Sequence, residues 1–211
     1  MTFYHPGIDH ILIGAPTLES GIASFEKATG VPPTRGGRHP MRGTENALVS
    51  LGNGTYLEII APQATVSDDD LFVKQLRHLS SPVVVGWAVH VPDISDAAER
   101  LKRAGFQTSP PQPGSRITPE GKKLEWTTFE VAHPEIETAP FFIRWSESTV
   151  HPSIAEVRCS LVSFQIDEPK VADLERLLSA LSVATTVRNA ARSGFQLRIR
   201  CGNRKATFSG E

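Results

Sequence analysis

Two polar residues, His10 and Glu58, interrupt otherwise apolar faces of two strand-like segments. His10 lies on the Ile8-His10-Leu12 face of residues 7–13, and Glu58 on the Tyr56-Glu58-Ile60 face of residues 56–61. Side chains two apart on a strand share a face, so each is set among apolar neighbours. The opposite faces, Ile11 with Ile13 and Leu57 with Ile59, are apolar enough to pack on helices. A buried imidazole and a buried carboxylate need partners. A divalent ion (zinc, iron, manganese or nickel) would satisfy both. So would a direct His–Glu pair with Arg144 neutralising Glu58.

Other side chains have chemistry to offer. His39 suits a general acid or base, or a third ligand. Glu45 is a further ligand candidate. Asn46 suits a substrate-orienting amide, against a turn former at a strand start. Arg144 is a fork for a carboxylate or phosphate, against a structural ion pair. Trp87, Trp126 and Trp145 suit pocket walls or core. His5, His78, His133 and His151 read as surface or turn residues. The chain has no P-loop, no G-x-G-x-x-G after a strand, no G-x-S-x-G and no H-E-x-x-H.

The elements that position these residues come from a repeat. A strand at 7–13 runs through Pro16-Thr17 into a helix with Leu18, Ile22 and Phe25 on one face, ended by Gly30. A strand at 83–91 leads through Pro92-Asp93 into a helix with Ile94, Ala97, Leu101 and Ala104 on one face. Pro16 and Pro92 are 76 residues apart. A third copy begins at 159–166, with Asp167 as cap for a helix through Leu174, Leu178 and Leu181. Strand pairs follow each helix: 46–51 with 56–61, 123–131 with 140–145, and 194–201 with 205–209. The Gly52-Asn53-Gly54 turn is a hairpin signal. Ser67-Asp68-Asp69-Asp70 opens a bridging helix. Residues 107–121, rich in proline, read as a long loop, either a lid or disordered.

The fold class is therefore α+β: repeated βαβββ modules in a cupped mixed sheet with helices outside. Residues 7–62 and 82–146 are the first two modules within a domain of residues 1–152. A third, structural module of residues 153–211 is expected to cap the cup or make a dimer interface.

Several phrases carry a family resemblance: Ile8-Asp9-His10-Ile11, Gly36-Gly37-Arg38-His39-Pro40, Gly43-Thr44 with Asn46-Ala47-Leu48, Tyr56-Leu57-Glu58-Ile59-Ile60-Ala61-Pro62, Gly86-Trp87-Ala88, and Pro140-Phe141-Phe142-Ile143 with Trp145. Over residues 7–152 the chain resembles the glyoxalase-like domain group of the vicinal-oxygen-chelate superfamily. The resemblance implies a cup holding a divalent metal, with ligands on the first and last strand of each module. Here those are His10 and Glu58. The second module's matching positions are Gly86 and Arg144, so it offers no ligand. The superfamily spans isomerases, lyases, dioxygenases and binding proteins. The expected function is metal-assisted chemistry of the lyase, isomerase or dioxygenase type, with His39 and Glu58 as catalytic residues and Asn46, Trp87, Trp126 and Arg144 as substrate contacts. The alternative is a metal-free protein that sequesters a small molecule.

Formal net charge is −1, with 39% hydrophobic and 21% charged residues. That balance favours a small-molecule partner over nucleic acid. The longest apolar run, residues 83–89, is far short of the roughly 20 residues a bilayer needs, so no membrane is expected. With no secretory signal at the N-terminus, the expected location is cytoplasmic. Cys159 and Cys201 are then expected as free thiols.

Overall fold

The computed structural model describes residues 7–65, 70–132 and 135–210. The first unit is β1 (Gly7–Gly14), α1 (Leu18–Thr29), β2 (Thr34–His39), β3 (Thr44–Gly52) and β4 (Thr55–Pro62). Thr17 and Ser20 close a capping box on α1, and Gly30 ends it in the left-handed region, its N–H bonding the Glu26 carbonyl. Then comes α2 (Leu71–Arg77), whose first free N–H groups, at Phe72 and Val73, bond the Asp70 side chain. Ser67, Asp68 and Asp69, expected beside that cap, lie outside the described residues.

The second unit repeats the order with β5 (Val83–His90), α3 (Ile94–Arg103), β6 (Gln112–Ile117), β7 (Lys123–Phe129) and β8 (Phe141–Trp145). A 3-10 turn at Pro152–Ile154 follows. The third unit is β9 (Cys159–Glu168), α4 (Val171–Ala180), β10 (Thr186–Asn189), β11 (Gly194–Cys201) and β12 (Arg204–Gly210).

The first two units close into one barrel-like sheet in the order β1-β4-β3-β2-β6-β7-β8-β5. Strand β1 joins the halves, parallel to β4 and antiparallel to β5. The second seam is thin, a single pairing of Arg38 with Ile117 between β2 and β6. Gly37 makes it possible, because a Cβ there would overlap the Ile117 carbonyl. Residues 107–121, expected as a loop, thus contain the strand that closes the sheet. Pro113 and Gly114 disguise it. Proline is tolerated because β6 pairs along its length only with β7, leaving an open edge at Pro113.

Alternation separates two faces. Ile11, Ile13, Leu57, Ile59, Phe129 and Phe142 turn outward into a core shared with α1, α3 and the third unit. That unit forms its own sheet, β10-β9-β11-β12. It packs on the outer wall: Phe208 stacks on Phe25, and Phe164 meets the Trp87 ring edge-on. A Cβ at Gly210 would overlap the Val84 carbonyl, so β12 lies hard against β5. The third unit therefore buttresses the barrel from outside instead of capping the cup.

Two local expectations are corrected. Asp167 does not cap α4; it lies in β9 and takes a two-pronged bond from Arg188, while the helix starts after Lys170 without a side-chain cap. Cys159 and Cys201 are not free thiols. They face each other across the β9–β11 ladder and form a disulfide. Antiparallel pairing brings their Cα atoms to 4.1 Å, which puts the sulfurs in reach. No helix among the described residues is long and apolar enough to cross a membrane.

Candidate active site

The floor of the cup begins at an irregularity in β1. Ile8 pairs with Val89 and His10 with Ala88, so Asp9 is an extra residue on β1. Such a bulge re-aims side chains. Asp9 and His10, which would face opposite ways on a regular strand, bond each other, Nδ1 of His10 to Oδ1 of Asp9 at 2.7 Å. Asp9 is fully buried and accepts two more bonds on Oδ2, from the Trp145 indole N–H at 3.0 Å and from His151 Nε2 at 3.1 Å. The Ser153 N–H points at His151 Nδ1, which leaves the His151 proton on Nε2. Burial alone would raise the Asp9 carboxyl pKa. The bonds and charges of His10 and His151 more than offset it and hold the carboxyl well below its ordinary range.

Glu58, facing inward from β4, is the next link. Its Oε2 lies 3.3 Å from His10 Nε2. With His10 Nδ1–H given to Asp9, Nε2 is the nitrogen that faces the carboxylate. Glu58 Oε1 accepts the Asn46 amide at 2.7 Å and lies 3.8 Å from His39 Nε2. The Asn46 oxygen faces Nη1 of Arg116 at 3.3 Å. A guanidinium only donates and an ionised carboxylate only accepts, so these neighbours fix which way the amide points. Burial pushes the Glu58 pKa up, but the His10 and His39 charges, the Asn46 bond and Arg116 pull it below its usual value. Glu58 is a carboxylate at neutral pH.

His39 is held at Nδ1 by the Thr44 hydroxyl at 2.8 Å, and its Nε2 faces the cup with only a long contact, 3.4 Å, to the Asn46 amide. Burial lowers its pKa; Glu58 opposes this, while Arg116, Arg42 and His10 add to it. The ring is neutral at pH 7, with a lone pair directed into the cup. Tyr56 stacks on His10 at 4.7 Å and Phe141 meets that ring edge-on. Above this floor the cavity holds about 770 Å³, walled by Leu12, Ile60, Phe72, Trp126, Phe141 and Trp145. That is the size of a small-molecule site.

The structure brings His10, His39, Asn46 and Glu58 together and sets Trp126 and Trp145 around them. Trp87 reaches the cup only from the wall: its indole N–H bonds the Thr138 carbonyl and it is 1% exposed. Arg144 is not in the cup. Ile143 and Trp145 hold the inward positions of β8, so Arg144 points out, its Nε bonding the Pro92 carbonyl. Glu45 also points away, 3.7 Å from Arg38. His39 is the last residue of β2. His151, expected at the surface or in a turn, caps the 3-10 turn at Pro152–Ile154 and is 3% exposed in the Asp9 network. The sequence reading missed Asp9, Thr44, Tyr56 and Arg116. Only Asp9 left a signal, a carboxylate beside His10 in an apolar strand.

A metal on His10 and Glu58 does not fit this donor set. Among the described residues no three His, Cys, Asp or Glu side chains are placed to hold an ion together. Asn46 aims an N–H, not an oxygen, at the space between Glu58 and His39. The second unit turns Gly86, Ile143 and Trp145 toward the cup, none of them a ligand, and its Glu130, which also lines the cavity, is exposed.

A family model described as "Glyoxalase-like domain" matches residues 8–182. No curated protein matches the chain. Among solved structures, a hypothetical protein from Staphylococcus aureus superposes with TM-score 0.66 at 16% identity, over 97% of this chain and 85% of that one. A methylmalonyl-CoA epimerase solved with methylmalonyl-CoA and NH4+ gives TM-score 0.50 at 19% identity, over 69% of this chain and 97% of that one. The epimerase from Mycobacterium tuberculosis gives 0.46 at 18%, over 65% and 86%. At these identities the likeness is one of fold. The first of them extends over the third unit.

Proposed function

This chain belongs to the glyoxalase-like domain family of the vicinal-oxygen-chelate superfamily, and from the chemistry of its cup we propose that it is an enzyme of the isomerase or lyase type, moving a proton at a carbon next to a carbonyl in a small oxygenated substrate. The observation that carries the reading is the convergence of two imidazole Nε2 atoms on one buried, ionised carboxylate at the floor of an aromatic-walled cavity.

His39 Nε2 takes the proton. Its ring is neutral, the Asn46 N–H facing Nε2 leaves the ring proton on Nδ1 beside Thr44, and the adjacent Glu58 favours the imidazolium that forms. Glu58, kept ionised and aimed by His10 and Asn46, holds the proton on the His39 imidazolium beside it, and that imidazolium returns the proton to the substrate. Asp9 acts through His10: by binding Nδ1 it fixes which nitrogen faces Glu58. Leu12, Ile60 and the aromatic walls exclude water, which strengthens each of these charge interactions. No step here runs through a metal.

The test is solvent-deuterium incorporation, followed by proton NMR. The panel holds 2-oxo acids, 3-oxo acids, their esters and acyl thioesters. Incorporation next to the carbonyl is expected for at least one class, falling about 10²–10⁴-fold in His39→Gln and Glu58→Gln and unchanged by EDTA. Binding of panel members without any exchange would favour the sequestering alternative. Exchange abolished by EDTA and restored by one divalent ion would return a metal to the cup.

A further inference from the structure

Arg116 is a charged side chain in the wrong place for a structural role. It comes from β6, the strand at the thin seam, yet its side chain is 3% exposed and lines the cavity. A guanidinium carries five N–H donors in a planar fork. Among the described residues one hydrogen bond engages it, Nη1 to the Asn46 oxygen at a long 3.3 Å. Among the described residues no carboxylate pairs with it. The nearby acids are committed: Glu58 to His10 and Asn46, Asp9 to His10, His151 and Trp145. A buried cation left in this state is costly unless something anionic completes it.

The site is also built to admit it. A Cβ at Gly36 would overlap both the guanidinium and the Asn46 oxygen, so the β2 backbone is kept bare to let Arg116 lie beneath it. We propose that Arg116 anchors a carboxylate, and that the substrate of the cup is a small monocarboxylic acid whose apolar part lies against Trp126, Phe141 and Trp145. This rests on the proton-transfer reading for the word substrate, but the anchor is a binding claim by itself. The free edge of the fork matches a carboxylate in two-pronged geometry. Charge favours a monoanion. Of the charged side chains lining the cavity, Arg42, Asp70 and Glu130 are exposed, whereas Arg116 is buried, so a ligand on the floor meets one arginine fork. A dianionic phosphate would be left undercompensated.

The experiment compares acids with their neutral amides of the same shape. Benzoate with benzamide, phenylacetate with phenylacetamide, and mandelate with mandelamide are titrated calorimetrically into the full chain. At least one acid is expected to bind about tenfold or more tighter than its amide. Arg116→Gln should bring that ratio within about threefold while leaving amide affinity in place, and that retained affinity shows the cup is folded. Arg42→Gln and added salt should leave the ratio standing, since a rim cation is screened and a buried one is not. Near-equal affinities for every acid and amide in the wild type would overturn the anchor, and so would failure of all three acids to bind. A preference that survives Arg116→Gln or disappears in Arg42→Gln would overturn it too. The wild-type and Arg42 measurements decide the matter even if Arg116→Gln does not fold. Loss of the preference with deuterium exchange intact would sink the anchor alone; the reverse would sink the proton-transfer reading alone.

Discussion

Replacing Asp9 with asparagine tests the centre of the site, because it keeps the shape and removes the charge. Asp9 accepts from His10 Nδ1 on one oxygen and from His151 and Trp145 on the other. The amide oxygen must stay with the indole N–H, which has no alternative tautomer. The amide NH2 then opposes His10 Nδ1–H, and the imidazole has to move its proton to Nε2, toward Glu58. Charge-assisted bonds of about 1.5–3 kcal/mol each fall to about 0.5–1.5 kcal/mol, so the network loses about 3 kcal/mol in all. For a chain of this length, 1 kcal/mol moves Tm by about 2–4 °C, and Asp9→Asn should melt roughly 6–12 °C lower at pH 7. The pH dependence has a definite sign. The folded carboxyl is held below its unfolded value of about 3.9. The wild-type advantage should be whole above about pH 5 and shrink as pH falls below about 4. Thermal unfolding by circular dichroism reads the stability, and nitrogen-15 NMR of the histidines reads the tautomer. A Tm within about 2 °C of wild type, or a His10 ring still protonated at Nδ1, would refute the reasoning.

Two more outcomes follow from the geometry. The Cys159–Cys201 bond closes a loop of sequence separation 42, for which chain entropy gives about 4 kcal/mol. Thiol reductant or the Cys159→Ser, Cys201→Ser double variant should lower Tm by about 8–16 °C, and no change would mean that the thiols are free in solution. If His39 takes the proton, the acid limb of the deuterium-exchange rate should have its midpoint below about pH 6.5, because burial holds the ring neutral. Arg116→Gln removes one of the cations that lower the His39 pKa, and should move that limb toward higher pH. A limb at or above the ordinary imidazole range in the wild type would argue that another group is titrating.

What could be read from the sequence divides along a physical line. Period-two alternation is local, and it placed His10 and Glu58 on inward faces. Helix ends are local too, and Thr17, Gly30 and Asp93 lie at the caps the sequence suggested. Strand β2 was hidden because Thr-Arg-Gly-Gly-Arg-His has almost no strand propensity; its glycines serve the seam with β6 and the path of Arg116. Arg144 was misplaced by one residue, and one residue is enough to turn a side chain through the sheet. The 76-residue offset matches the first strands and helices but does not carry parity through loops of different length. The buried arginine lining the cup is Arg116, inside a stretch that reads as a long loop.

Asp9 is the instructive case, because the sequence contained the contradiction that resolves it. On a regular β1 strand with His10 facing the cup, Asp9 would face the opposite way, between Ile11 and the helix layer, where a carboxylate has no partner. Either the strand is not buried there or it is not regular. Ile11 and Ile13 are fully buried in the core, so the first choice fails and the pairing shift at Asp9 is what remains. A charged residue on the dry side of a strand is thus a pointer to a bulge. Here the bulge puts the carboxylate behind the histidine, where it orients the ring that faces Glu58.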